Sequence, residues 1–199
     1  MIEITDRQID RVNLILGGMG NGSESVLKNA INRGLSSVRV QSVRSITKMY
    51  DITQKDIKAD STIYLRKAAG RDLAGHVSFS GMRIPLYKFN VTPREPSARR
   101  VKASVLKSSS PTSFTDAFIA RMKNGHTGVF ERTRKQGIEA RVAIHGESKH
   151  TEKIRELFGP ATAQMARNAV VLEHVEKEAQ HVIDIRIEHE MDRILKGYS

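Results

Sequence analysis

The stretch 117-AFIARMKNGHTGVFER-132 decides how the rest of the chain is read. Phe118, Ala120 and Met122 recur at every second position on the way in, Gly125-His126-Thr127-Gly128 places two glycines where the chain must reverse, and Val129-Phe130 begins the return. That pattern predicts a β-hairpin. Arg121, Lys123, Arg132, Arg134 and Lys135 flank the turn, which makes it a cationic ribbon with an apolar underside. The turn admits two readings. Gly125 and Gly128 serve only the positive φ of a tight turn, with His126 an exposed turn residue, or the tip offers backbone N–H groups and flanking cations to a phosphate or carboxylate. The second reading makes Arg121, Lys123, Gly125, His126, Gly128, Phe130 and Arg132 the candidate contact set, toward a neighbouring subunit or DNA. No Gly-Lys-Ser/Thr follows, so the turn is not a P-loop.

N-terminal to the hairpin the periodicity is helical. Thr5 and Gln8 form a capping-box pair ahead of Ile9, Val12 and Leu16, and Gly17, Gly18, Gly20 and Gly22 end that helix. From Ser23 to about Tyr50, Leu27, Ile31, Leu35, Val38, Ile46 and Met49 line one stripe of a long amphipathic helix, with Arg33 away from its centre. Gly34 and Ser42 lie near the stripe and either admit another backbone or pack against a bulky strand residue. A short third helix is predicted from Thr53 to about Ala59.

Residues 61 to 145 carry most of the β signal. Strands are predicted at 62–67, 75–80, 83–90 and 100–107, together with the two hairpin arms, as a central antiparallel sheet. Pro85 marks the third as an edge or bulged strand. The loops 93–97 and 107–111 are rich in turn formers and are expected to be mobile. Between 94 and 141 eleven Lys/Arg face four Asp/Glu, so this span carries +7 of the chain's +11. Arg94, Arg99, Arg100 and Lys102 form the candidate basic loop. A solvated face, a contact with acidic protein and a surface facing DNA all fit this charge.

From Pro160, a residue suited to a first helical turn, no breaker intervenes before Gly197. One helix over 160–196 would extend about 55 Å. Leu172, Val175, Ala179 and Val182 share one face, while Ile183, Ile187, Met191 and Ile194 share another. Such a helix serves its own core and a neighbouring subunit, or it kinks around a single core.

Length and composition bound the remaining choices. At 199 residues and 39% hydrophobic content the chain is expected to form one domain, with a helical part (1–59), a β-rich core (61–145) and the last helix (160–196). The absence of cysteine excludes disulfides, thiolate metal sites and a cysteine nucleophile. The start, MIEITDRQID, is not a signal-peptide pattern, and no apolar run reaches a membrane span of about 18 residues, so a protein made in a cytoplasm and kept off membranes is expected. His174, Glu178 and His181 share a helix side without forming His-Glu-x-x-His, and no nucleophile elbow appears. No catalytic residue, metal or cofactor is assigned. The basic stretch lacks the interleaved aromatics of an RNA-recognition sheet, so any nucleic-acid contact is to phosphates, without sequence preference.

GHTGVFER, FIARM before it and Glu156-Leu157-Phe158-Gly159-Pro160 after it resemble the prophage minor tail protein Z family of long-tailed phages. AINR at 30–33, YLRKA at 64–68 and RIPLYKF at 83–89 match in the same order, so the resemblance runs from about Val26 to Leu195. The chain departs from the pattern after Arg132, where 133–153 form a longer, more polar link. The resemblance implies a non-enzymatic virion component at the head-proximal end of the tail. It further implies a ring of identical subunits, six as the first expectation, that helps join tail to head, contacts other tail and neck proteins, and touches packaged DNA. A stand-alone basic nucleic-acid-binding protein of the same α+β layout is the alternative. The family signature at 156–160 is read as the entrance to the last helix.

Overall fold

The computed structural model describes residues 2–17, 22–69, 72–97, 99–132 and 154–197. Strand β1 (Ile2–Glu3), helices α1 (Asp6–Leu16), α2 (Gly22–Met49) and α3 (Gln54–Asp60), and strands β2 (Ser61–Arg66) and β3 (Ala74–Gly81) come first. Strand β4 (Arg83–Pro85), a 3-10 turn (Leu86–Lys88), and strands β5 (Asn90–Thr92), β6 (Val101–Ser104), β7 (Thr112–Phe114), β8 (Ala117–Arg121) and β9 (Thr127–Arg132) follow. Strands β10 (Ile154–Glu156) and β11 (Phe158–Ala161) precede helices α4 (Thr162–Ala166) and α5 (Ala169–Leu195). The class is α+β with N-terminal helices and a long C-terminal helix, as the sequence predicts. The link 133–153, with Arg134 and Lys135, lies outside the described residues. The chain divides into two compact units, Met1–Met49 with Gln54–Met82 and Ala161–Ser199, and Tyr50–Thr53 with Arg83–Pro160.

In the first unit the apolar stripe of α2 meets α5. Leu27, Ile31, Leu35 and Val38 are buried with Ala179, Ile183, Ile187 and Met191. A Cβ on Gly34 would stand 3.7 Å from both Val182 and Ile183, ordinary contact, so this small residue faces helix α5 and not a strand. Gln8 does two jobs, accepting from Thr5 N at 2.9 Å as the predicted cap and donating to Asp184 Oδ1 at 2.6 Å, which ties α1 to α5. Strand β3 sits between β1 and β2 and pairs antiparallel with both, in the register Ser61↔Gly81 to Arg66↔His76 for β2.

The expected helix over 160–196 is two helices preceded by a strand. Pro160 belongs to β11, and the break at Arg167 and Asn168 ends α4. Asn168 Oδ1 then accepts from Val170 N and caps α5. A single polar residue thus restarts the helix where no proline or glycine marks a stop. On α5 the two expected faces are unequal, since Ile183, Ile187 and Met191 are buried but Leu172 is 42% exposed.

The second unit holds three small sheets, β10-β9-β8, β5-β6-β7 and the pair β11-β4. The strand expected over 83–90 is interrupted, because the chain leaves Pro85 into a 3-10 turn before β5 begins. Ser80-Gly81-Met82 therefore joins strands of different sheets, and the β structure is several short antiparallel ladders instead of one central sheet. Ile84, Leu86, Phe89, Val91, Val101, Ile119, Val129 and Phe130 form its buried interior. The serine-rich loop after β6 is tied down by Ser104, whose hydroxyl donates to Leu106 O at 2.6 Å.

Candidate functional site

The hairpin forms where the sequence predicts it. β8 and β9 pair antiparallel from Ala117↔Glu131 to Arg121↔Thr127. Between them Met122 N donates to His126 O at 2.7 Å and Gly125 N to Met122 O at 2.9 Å. Gly125 has φ +85°, a conformation that a side chain would strain, so this glycine is a requirement of the turn, whereas Gly128, expected to share that role, lies in β9 without a positive φ. Asn124 Oδ1 accepts from His126 N at 3.1 Å and stiffens the tip.

The hairpin is apolar on both of its faces, contrary to the single apolar underside that Phe118, Ala120 and Met122 suggest, and these three are half-buried. Ile119 opposite Val129 is buried on one side, and Phe118 opposite Phe130 forms a ring pair at 6.3 Å on the other. Arg132 stacks over Phe118 with its guanidinium carbon 5.6 Å from the ring centre. Arg121 and Lys123 are exposed at the tip.

The 156–160 signature is a strand element built onto this hairpin, not a helix entrance. β10 pairs with β9, with Glu156 opposite Phe130. The Glu156 carboxylate lies 2.7 Å from His126 Nε2, and the His126 ring meets Phe130 edge-on at 6.3 Å. Leu157 then links β9 to the 3-10 turn, since its N–H donates to Val129 O at 2.8 Å and its carbonyl accepts from Leu86 N at 2.9 Å. Arg83 donates to the carbonyls of Phe158, at 3.1 Å, and Gly159, at 3.3 Å. Three separated motifs, RIPLYKF, GHTGVFER and ELFGP, therefore meet in one place. All three stand out in the sequence, but the roles of Arg83 and Glu156 do not, because strand pairing across 22 or more residues leaves no periodic signal.

Among the described residues β10 pairs with β9 alone, and Ile154 and Phe158 beside it are 43% and 40% exposed. A strand edge flanked by apolar side chains suits strand addition or a protein partner. Glu131 and Arg155, opposite each other on β9 and β10, form an ion pair at 3.1 Å.

The candidate basic loop is not brought into the hairpin assembly by any contact described between them, and its members differ. Arg94 is structural, because it donates to Phe89 O at 3.3 Å and lies over the Tyr87 ring at 5.9 Å. Arg99, Arg100 and Lys102 are exposed. Among the described residues no three His, Asp or Glu side chains converge as metal ligands. His174 instead lies 3.3 Å from Lys48 Nζ. No described helix is long and apolar enough to cross a membrane.

A family model described as prophage minor tail protein Z matches residues 24–198. No curated protein and no solved structure matches the chain.

Proposed function

The chain belongs to the prophage minor tail protein Z family, and from that premise we propose that it is a non-enzymatic ring subunit at the head-proximal end of the phage tail, where it helps join tail to head. Membership makes it a virion component that works among other tail proteins. The observation that carries the ring reading is the apolar surface left on α5. Val170 and Leu172 are 64% and 42% exposed beside a groove of about 520 Å³ whose lining includes Val38, Val77, Phe79, Val171 and Val175. A neighbouring copy supplies the cover that the described residues do not, as closed homo-oligomers do. Six copies remain the starting expectation for the ring.

Light scattering on the purified chain at low and high salt tests this reading. Apolar contacts persist as salt rises, so a stable multimer is expected at both conditions, and Leu172→Glu is expected to reduce it to monomer without unfolding it. A wild-type monomer at both salt levels overturns self-association through this surface.

The hairpin edge is the second proposed contact, toward a tail or neck neighbour. Arg132→Glu is expected to leave the fold intact, to lose the cation–π stacking on Phe118 at a cost of about 0.5–1 kcal/mol, and to lower the yield of infectious particles. Normal folding with full infectivity removes the contact role of the hairpin.

A further inference from the structure

The sheet β5-β6-β7 presents a surface of different chemistry from the apolar edge at Ile154 and Phe158. Its register places Thr92 opposite Lys102 and Lys102 opposite Ser113, so a hydroxyl, an ammonium and a second hydroxyl line up across three strands on one face. Asn90 and Ser104 share that face. The reverse face carries Val91, Val101 and Ala103, all buried. Asn90, Thr92, Lys102 and Ser113 are exposed, and neither a carboxylate nor an apolar side chain stands among the strand positions of this face.

We propose that this sheet face, with Arg99 and Arg100 of the loop leading into β6, is a docking surface for the phosphate backbone of duplex DNA, without sequence preference. Where the chain meets DNA rests on the tail reading, whereas the binding does not.

Three features select this partner. First, among the described residues Arg99, Arg100 and Lys102 enter no ion pair, although they are gathered within four positions of one another, and like charges held together repel. Between Arg83 and Thr115 the sole carboxylate is Glu95, against seven Lys/Arg. Second, the groups beside the cations are hydroxyls and an amide, the neutral donors that accompany Lys and Arg on phosphate oxygens. Third, the centre of a protein interface is apolar and depleted in lysine, and this face is the reverse. Arg94 prepares the surface without joining it. Its hold on Phe89 O and Tyr87, with Tyr87 Oη donating to Arg94 O at 2.9 Å, fixes the base of the loop that presents Arg99 and Arg100.

The test is a titration of the full chain against a labelled duplex of mixed sequence at several salt concentrations. Each phosphate contact contributes about −0.9 to the slope of log K against log salt, so Arg99→Ala/Arg100→Ala/Lys102→Ala is expected to make the slope shallower by roughly 2.7. Arg39→Ala/Lys55→Ala/Lys58→Ala, which removes the same charge from exposed helical positions, is expected to leave the slope unchanged. Ser113→Glu, which adds a charge to the row and removes no cation, is expected to weaken binding. A wild-type chain that does not bind, or an equal loss in the helical control, overturns the proposal. So does a triple variant that binds duplex normally but fails to bind an acidic tail protein. Assembly of the triple variant into tails reads the structural role separately. Normal self-association of the wild-type chain with no duplex binding overturns this surface alone, and failed self-association with normal duplex binding overturns the ring alone.

Discussion

Phe89→Ala is expected to destabilise the second unit by about 3–5 kcal/mol, the cost of emptying a fully buried aromatic site. Phe89 has no exposed surface, and its ring lies directly on Gly159. A Cβ on Gly159 would stand 2.5 Å from Phe89 Cε2 and 2.9 Å from Cζ, far inside van der Waals distance. Gly159→Ala is therefore expected to cost about 1–3 kcal/mol by overpacking. Because both changes act at one contact, they must couple. Phe89→Leu/Gly159→Ala is expected to be less damaging than the sum of its two single changes. Urea unfolding followed by hydrogen exchange at the amides of β4, β9 and β11 separates this unit from the helical one, which a single global midpoint cannot do. Strict additivity of the two changes would show that the contact does not join β11 to the interior.

The second large effect sits between α2 and α5. Glu190 is fully buried, with Arg33 Nη1 2.5 Å from one carboxylate oxygen and Arg193 Nη2 3.1 Å from the other. Neither oxygen has an aligned hydrogen bond, so charge alone holds the carboxylate. Arg33→Met/Arg193→Met removes both cations and strands the charge, with an expected cost of about 3–5 kcal/mol. The arginine side chains are 45% and 33% exposed, so solvent shares the screening and the lower end of that range applies. Glu190→Leu is expected to be close to neutral or stabilising, because the two arginines can turn to water while an apolar side chain joins Ile187 and Met191. Thermal unfolding of the two variants decides the matter. Equal destabilisation by both would mean that the carboxylate contributes more than its burial costs.

Much of the helical half is legible in the sequence. The Thr5/Gln8 cap and the 3.6-residue stripe of Leu27, Ile31, Leu35 and Val38 are local signals, and both appear where they point. The hairpin is equally legible, since Gly125 carries the positive φ that its turn demands. Glu190 is not. A glutamate on a helix otherwise rich in charge reads as surface, and the arrival of Arg33 from α2, beside Arg193 on the same helix, makes its burial tolerable. Pro160 misleads for a related reason, because a proline that suits a first helical turn also suits a strand whose neighbouring carbonyls are held by Arg83.

Residue type and short spacing were enough to specify the α+β class, the long amphipathic helix, the hairpin and the family. Only the folded chain determines that RIPLYKF, GHTGVFER and ELFGP form one assembly, that the last helix is broken and capped at Asn168, and that Thr92, Lys102 and Ser113 stand in a row. Strand register joins residues far apart in the chain, and a one-residue slip would turn every side chain to the opposite face. Local periodicity contains no record of that choice, which is made by the packing of strands and helices that meet only once the chain has folded.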